Sequence, residues 1–254
     1  ELKLMHPVAK EEAAKFIAGS ANAARVSSLA YHLGHTYFLE NNHEQSLFYF
    51  EQANINNLTN EMIADLKFEK AYALFNLKRF NEAKPLFNEI HQLENSKYHI
   101  PANYYYGFIS YYEKNYEEAL SAFKKVELYP EYQGVVPYYI TEIYYFKGEK
   151  DLALSYGESI LKRKMPLYYV AQLKLLLGQI YFEKKDFKKA LPLLESYVQQ
   201  SDKVTKEVLY SLSYSYFEIG NTEKAIEGFK SLSNESDSLG QNSMYLLGDL
   251  YLQT

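Results

Sequence analysis

The chain has 254 residues, of which 47% are hydrophobic, 17% aromatic and 23% charged; that is ample material for a core and excludes wholesale disorder. Lysine and arginine total 27 against 32 aspartates and glutamates, a formal net charge of −5, which leaves no cationic excess to neutralise phosphates and excludes nucleic acid and anionic membrane as preferred partners. There is no cysteine, hence no disulfide framework, thiolate metal site or cysteine nucleophile, and the compartment stays open.

No apolar run approaches the roughly 20 residues needed to span a bilayer, and the opening Glu1-Leu2-Lys3-Leu4 is not a signal peptide. A soluble chain without direct membrane insertion is expected. With 7 prolines, 11 glycines and apolar residues at helical rather than alternating intervals, the predicted class is all-α. In chain order a first helix is predicted over 7–19, then pairs over 27–40 and 43–56, 64–77 and 80–93, 100–113 and 116–129, 134–147 and 150–163, 171–184 and 187–200, and 206–219 and 222–235, with a last helix over 241–254. Tight turns separate the members of five pairs at Lys78-Arg79, Lys114-Asn115, Gly148-Glu149, Lys185-Asp186 and Gly220-Asn221, with Asn115, Asp186 and Asn221 as N-caps. Longer links fall at 54–60, 95–100, 130–134, 164–166, 201–205 and 233–240. Pro101 and Pro137 fall in first turns, where proline is tolerated, whereas Pro85 and Pro192 lie deeper and are expected to bend their helices.

The pairs repeat. Small residues at Gly34, Ala71, Gly107, Thr141, Gly178, Ser213 and Gly248 are separated by 37, 36, 34, 37, 35 and 35 residues. Twelve places after each of the first six comes a second small residue, at Ser46, Ala83, Ala119, Ala153, Ala190 and Ala225, and four further along a large apolar one at Phe50, Phe87, Phe123, Leu194 and Phe229, with Gly157 the exception. Three places beyond the first small residue a tyrosine is usual, as at Tyr37, Tyr144, Tyr181, Tyr216 and Tyr251. This pattern, best seen in Leu33-Gly34-His35-Thr36-Tyr37 and Leu177-Gly178-Gln179-Ile180-Tyr181, resembles the tetratricopeptide repeat, a helix–turn–helix unit of about 34 residues. The resemblance runs over nearly the whole chain, although no unit carries the tryptophan of the pattern, Lys70 stands for its leucine in the second repeat, and only Pro130 and Pro166 fall near its closing proline.

The resemblance implies a right-handed α-solenoid of six repeats near 27–60, 64–97, 100–133, 134–167, 171–204 and 206–239, with partial repeats at 7–19 and 241–254. Physically, two helices approach to roughly 8–10 Å only where small side chains meet at the crossing. An uncapped array exposes core, so a continuation of the native chain in both directions is expected. The opening residue, which is not methionine, suggests the same.

When each repeat is numbered with its first small residue at position 8, positions 4, 7, 8 and 11 of the first helix serve packing, and positions 2, 5, 9, 12 and 13 form a second arc. In proteins resembling this family that arc lines a concave groove for an extended peptide or a helix. Here it carries Tyr31, Phe68, Tyr104, Tyr138, Leu175, Tyr210 and Tyr245 at position 5, His35, Tyr72, Phe108, Glu142 and Tyr214 at position 9, and Phe38, Phe75, Tyr111, Tyr112, Tyr145, Phe146, Phe182 and Phe217 at positions 12 and 13. No lysine or arginine occupies the arc, and Asp65, Glu142, Glu183, Glu207, Glu218 and Asp249 are its acids. The groove candidates are therefore Tyr31, His35, Phe68, Tyr72, Tyr104, Phe108, Tyr111, Tyr138, Glu142, Tyr210, Tyr214 and Tyr245. Position 5 is expected to be exposed, being too far from the packing arc to pack within its own unit; position 12 is expected to wedge between successive first helices.

Rings flanked by carboxylates suit a partner that is basic, aromatic or proline-rich. The lysine and asparagine clamp by which the co-chaperone branch of the family holds a terminal carboxylate is absent: Tyr31, His35, Glu69, Pro101 and Tyr105 stand in its places. His32 and His35 are the only histidines at helical spacing and lack a third ligand. No phosphate loop, nucleophile elbow or zinc motif occurs, so no catalytic residue, metal ligand or cofactor is assigned. Asn57-Leu58-Thr59 and Asn234-Glu235-Ser236 match a glycosylation acceptor too short to weigh. A non-catalytic protein-binding scaffold is the expected function. The alternatives are a spacer or self-associating array and a positioning module for an enzyme domain elsewhere. Tyrosine-rich copies such as Tyr104-Tyr105-Tyr106-Gly107 are similar to long repeat proteins of bacterial cell envelopes, which points to the periplasm or the outer-membrane periphery, with the cytoplasm as the alternative. Replacing Tyr104, Tyr138 and Tyr210 by alanine is expected to spare melting and abolish partner capture.

Overall fold

A computed structural model describes residues 6–163 and 166–253, with the side chain of the last of these left aside, and all the regular structure among them is helical. Glu1 to Leu4, Thr254 and most of the 164–166 link lie outside the described residues. The chain divides into two compact units, one ending at Val126 and one beginning at Glu127.

In the first unit α1 (Pro7–Gly19) precedes three helix pairs: α2 (Ala23–Leu39) with α3 (His43–Phe50), α4 (Asn60–Asn76) with α5 (Phe80–His91), and α6 (His99–Tyr112) with α7 (Tyr116–Val126). The second unit holds α8 (Val136–Phe146) with α9 (Lys150–Leu161), α10 (Val170–Glu183) with α11 (Phe187–Gln200), α12 (Lys206–Glu218) with α13 (Thr222–Leu232), and finally α14 (Ser238–Gln253). This is an α-solenoid arrangement of helical hairpins, as the spacing predicts. One pair differs: α3 ends at Phe50 instead of running to 56, and a short 3₁₀ turn follows at Ile55–Asn57. The stop has a polar cause. Ser27 Oγ accepts from the Asn54 backbone N–H (3.2 Å) and the Asn57 amide (3.3 Å), and Asn54 Oδ1 caps the 3₁₀ turn.

Every hairpin turns in the same way. The second residue after each first helix has a left-handed backbone: Asn41 (φ 58°), Lys78 (59°), Lys114 (64°), Gly148 (79°), Lys185 (60°) and Gly220 (80°). Its N–H bonds three residues back, and the next N–H five residues back, as in Asn115 to the Ser110 carbonyl at 2.8 Å. That pair of bonds closes the orphaned carbonyls of a helix end. Asp186 and Asn221 cap the helices that follow, accepting from Lys189 N and Lys224 N; Asn115 directly precedes α7, its backbone carbonyl accepting from Ala119 N at 3.0 Å. Pro85 and Pro192 both lie inside their helices.

The recurring small residues are where helices meet. A Cβ added to Gly34 would stand 2.6 Å from Phe50 Cδ1; one on Gly107, 2.9 Å from Phe123; one on Gly178, 3.0 Å from Leu194. Phe123, Leu194 and, at the same position of other repeats, Phe87 and Phe229 are fully buried. The exception in the pattern is a matched exchange. Where the eighth position is the larger Thr141, the partner helix supplies Gly157, and a Cβ there would stand 3.1 Å from Thr141 Cγ2 and 2.8 Å from Leu177 Cδ2. Ser213 is matched likewise by Gly228, whose added Cβ would fall 2.0 Å from Ser213 Oγ. Volume at each crossing is balanced across two positions rather than set at one.

Successive repeats are also tied by the tyrosines three places on. In the second unit Tyr181 donates to Glu158 and Tyr216 to Glu195, each carboxylate lying on the preceding second helix. Lys189 and Lys224 cover the two rings at 5.1 and 4.8 Å. Burial and the Glu158 carboxylate push the Tyr181 phenol up to about 12.

Candidate functional site

Position 5 does not stand free. Tyr31, Phe68, Tyr104 and Tyr210 each lie against the large residue of their own second helix, with ring centroids 6.4 Å from Phe50, 6.0 Å from Phe87, 6.4 Å from Phe123 and 6.0 Å from Phe229. Tyr31 is only 5% exposed, while Phe68, Tyr104, Tyr138 and Tyr210 are half-buried. This corrects the expectation of an exposed ladder, and the geometry explains it. Position 5 precedes position 8 by three residues, which at about 100° each is only about 60° around the helix. A ring reaches that far.

The links add a second cover that the sequence pattern does not signal. Tyr98, just before α6, stacks on Phe68 at 4.2 Å and 4°, and Tyr169, just before α10, lies 5.2 Å from Tyr138. Only Tyr245, on α14, is strongly exposed at this position, at 76%. Alanine at Tyr104, Tyr138 and Tyr210 would therefore remove core packing as well as surface, contrary to the expectation of unchanged melting. Position 12 behaves as expected: Phe38 lies 5.5 Å from Tyr72, Phe75 5.5 Å from Phe108, and Phe182 5.9 Å from Tyr214, each ring wedged against the ninth position of the next repeat. Tyr111 is half-buried, 6.4 Å from Tyr116.

What stays at the surface is the far side of each first helix, positions 2, 9 and 13. His35, Tyr72 and Phe108 in the first unit, and Glu142 and Tyr214 in the second, are half-exposed. At position 13 Leu39 (50% exposed) and Tyr112 (66%) stand out in the first unit and Phe146 (50%) in the second. These three apolar side chains lack the burial that their neighbours at positions 5 and 12 find.

The carboxylates of this face are engaged within the chain. Asp65 accepts from Tyr98 (2.8 Å) and Tyr31 (3.2 Å) and pairs with Lys97 at 2.6 Å. Burial pushes its carboxyl up, but Lys97 and the two hydroxyls outweigh that and hold it below the usual carboxylate range. Glu69 is buried, and its two oxygens accept from His35 Nδ1 at 2.8 and 2.9 Å; burial raises its carboxyl and His35 offsets part of the rise. Tyr138 donates to Glu142 at 2.9 Å, and burial first and Glu142 second raise that phenol. Tyr145 donates to Glu183 at 2.7 Å, and Glu183 also holds Lys150 at 2.8 Å. The face thus offers rings edged by carboxylates that already hold internal donors. Among the described residues no group of three or more His, Asp or Glu side chains could hold a metal ion, and no helix is long and apolar enough to cross a membrane.

Residues 27–54, 171–201 and 207–238 match family models described as tetratricopeptide repeat. No curated protein matches the chain by sequence. Among solved structures it is similar to PilF of Pseudomonas aeruginosa, with a TM-score of 0.59 and 16% identity over 86% of this chain and 96% of that one. It is also similar to YrrB, described as a repeat protein with an unusual peptide-binding site, at a TM-score of 0.59 and 20% identity over 77% of this chain and 97% of that one. A third likeness is to PilW, described as a widely conserved type IV pilus biogenesis factor, at a TM-score of 0.54 and 16% identity over 86% and 98%. Hairpins at the predicted spacing, small residues at each crossing and three segments matching the repeat show that the chain carries tetratricopeptide repeats over those segments.

Proposed function

We propose that the chain is a non-catalytic docking scaffold that holds partner protein segments on the faces that positions 2, 9 and 13 of the first helices form within each unit. The observation that carries this reading is the exposure of Leu39 and Tyr112 in the first unit and Phe146 in the second, on a face from which neighbouring rings have been withdrawn into the core. Half-buried His35, Tyr72 and Phe108 lie at the ninth position of the first helices in the first unit, and Glu142 and Tyr214 at the same position in the second. Tyrosine suits such a surface, with an apolar ring, a polar tip and few rotors to immobilise. Because Asp65, Glu69, Glu142 and Glu183 are already bonded internally, apolar and aromatic contacts dominate over simple charge attraction. A proline-rich or aromatic segment bearing scattered basic residues is the partner of choice. A partner held by its terminal carboxylate is disfavoured by the absence of basic residues from the face.

The likeness to a pilus biogenesis factor favours a place at the bacterial cell envelope for this scaffold. A panel of fluorescent peptides tests the binding reading: aromatic-basic, proline-rich, and an acidic peptide with a free carboxyl terminus as control. The first two classes are expected to bind, and Leu39→Ser, Tyr112→Ser and Phe146→Ser together are expected to abolish binding while the exposed sites leave melting within a few degrees. Undiminished binding by the triple variant, or binding of the acidic control alone, would overturn the assignment of the face.

A further inference from the structure

All six histidines lie before residue 100, so the second unit has none. Two of them sit at joints between successive hairpins of the first unit. His43, the first residue of α3, has its ring 6.4 Å from Phe38 on α2 and 6.0 Å from Tyr72 on α4. His91, the last residue of α5, stacks on Tyr106 of α6 at 4.4 Å and 18°, with Nε2 3.0 Å from Asn88 Oδ1. In both rings Nδ1 is buried and has no hydrogen-bond partner. The same holds for two atoms on the first two turns of α6, His99 Nδ1 and Asn103 Oδ1, although the Asn103 amide nitrogen donates to the His99 carbonyl at 2.8 Å. Buried polar atoms are normally paired, so this concentration at two consecutive joints calls for a role.

We infer that His43 and His91 make the first unit acid-responsive: a proton on either imidazole places a charge between two hairpins, against aromatic rings at His43 and under the opposition of burial and Lys125 at His91, and the joints loosen. The surroundings support this. His43 meets only rings at its joint, sits at a helix N-terminus where a cation is disfavoured, and burial alone lowers its basicity. Around His91, α6 supplies Tyr106, His99, which opposes a second positive charge, and Asn103, whose side chain favours it, and α7 supplies Lys125, which opposes it, and Glu118, which favours it. Glu118 is spent on Lys84 (2.9 Å), Tyr106 (3.0 Å) and Ser110 (3.1 Å). Burial dominates and, with Lys125, holds His91 below the ordinary histidine range.

The sign follows from linkage. With folded-state basicity depressed, the stabilising contribution is complete above the unfolded value of about 6.5 and is lost as the pH falls through the lower folded value. Glu69 acts in the opposite sense, since burial raises its carboxyl and acidification relieves that strain, but it does so nearer the carboxylate range. Because Tyr72 borders both His43 and the proposed docking face, acid release of a partner follows from that reading; the loosening itself does not depend on it.

Hydrogen exchange on the full chain tests the inference without any partner. Once the change in exchange chemistry is divided out, segments of α3 to α6 are expected to open about fivefold more per histidine at about pH 5.5 than at about pH 7.5, whereas α9 to α13 stay unchanged. His43→Gln with His91→Gln is expected to remove the difference. Equal response of the two units, or an acid response that survives in the double variant, would overturn it. Should that variant not fold, imidazole NMR titration of the native chain decides: both rings titrating below the free-histidine value sustain the inference, and either one titrating at or above it refutes it.

Discussion

Replacing Gly34 with alanine tests the packing rule on which the fold rests. The added Cβ would stand 2.6 and 2.7 Å from two ring carbons of Phe50 and 3.1 Å from the Ser46 carbonyl oxygen. Phe50 is itself buried between α2 and α3, so its ring has nowhere to swing. Overpacking of this kind costs about 1–3 kcal/mol, and the helix-propensity gain from glycine to alanine returns about 1 kcal/mol. A net loss of about 1–2 kcal/mol is expected, because three atoms obstruct the site and two belong to a rigid ring. The same substitution grades down the chain. At Gly178 the nearest atoms, 3.0 and 3.1 Å away, belong to the flexible Leu194, so the two effects should nearly cancel. At Gly248 nothing lies within 4 Å, and the full gain of about 1 kcal/mol is expected. Urea unfolding followed by circular dichroism should therefore rank the variants Gly248→Ala, Gly178→Ala, Gly34→Ala from most to least stable. Adding Phe50→Leu to Gly34→Ala should reveal a favourable coupling of about 1 kcal/mol. If Gly34→Ala proved as stable as Gly248→Ala, the crossing would not be the close contact that the repeat spacing implies.

Restoring the common pattern at the exchanged crossing should fail one site at a time: Gly157→Leu alone is expected to lose about 3 kcal/mol or more, and Thr141→Gly with it to recover most of that, as read by thermal melting. Lys114→Gly and Lys185→Gly relieve left-handed backbones at φ 64° and 60° that cost a side chain about 1–2 kcal/mol. Set against the entropy of an added glycine, each should stabilise by about 0.5 kcal/mol, and a lower denaturation midpoint would contradict the turn geometry. Tyr181, raised from 10.0 to about 12 by burial and Glu158, contributes stability that is complete below the unfolded value and is lost as the pH rises through the folded one. Urea midpoints should accordingly fall between about pH 10 and 12, and less so in Glu158→Gln; a flat profile would show the inter-repeat bond to be idle.

The architecture is legible in the sequence because its cause is local and repeated. Close crossing demands a small residue at a fixed interval, and Gly34, Ala71 and Gly107 announce it by their spacing alone. Gly157 breaks the pattern only when one helix is taken at a time; the two sides of the crossing share a single volume, and Thr141 already occupies it. Polar residues mark the turns, yet nothing in Lys78, Lys114 or Lys185 signals a left-handed backbone, since the closing hydrogen bonds impose that conformation on whatever residue arrives there.

The candidate face is legible in register but not in depth. Helical angle separates positions 2, 9 and 13 from the packing arc by more than a right angle, and position 13 keeps exposed side chains such as Leu39, Tyr112 and Phe146. Position 5 lies between the two, about 60° from the crossing, and its fate depends on side-chain length and on what the links bring over it. A tyrosine such as Tyr31 is long enough to lie back on Phe50 while its hydroxyl reaches Asp65 of the next repeat. Tyr98 and Tyr169 then close over Phe68 and Tyr138 from links whose conformation no periodicity describes. The aromatic excess of this chain therefore divides its labour: most rings join one hairpin to the next, and a few, such as Tyr112 and Phe146, keep half or more of their surface exposed even where they touch a neighbouring ring, as Tyr112 touches Phe80 at 5.3 Å.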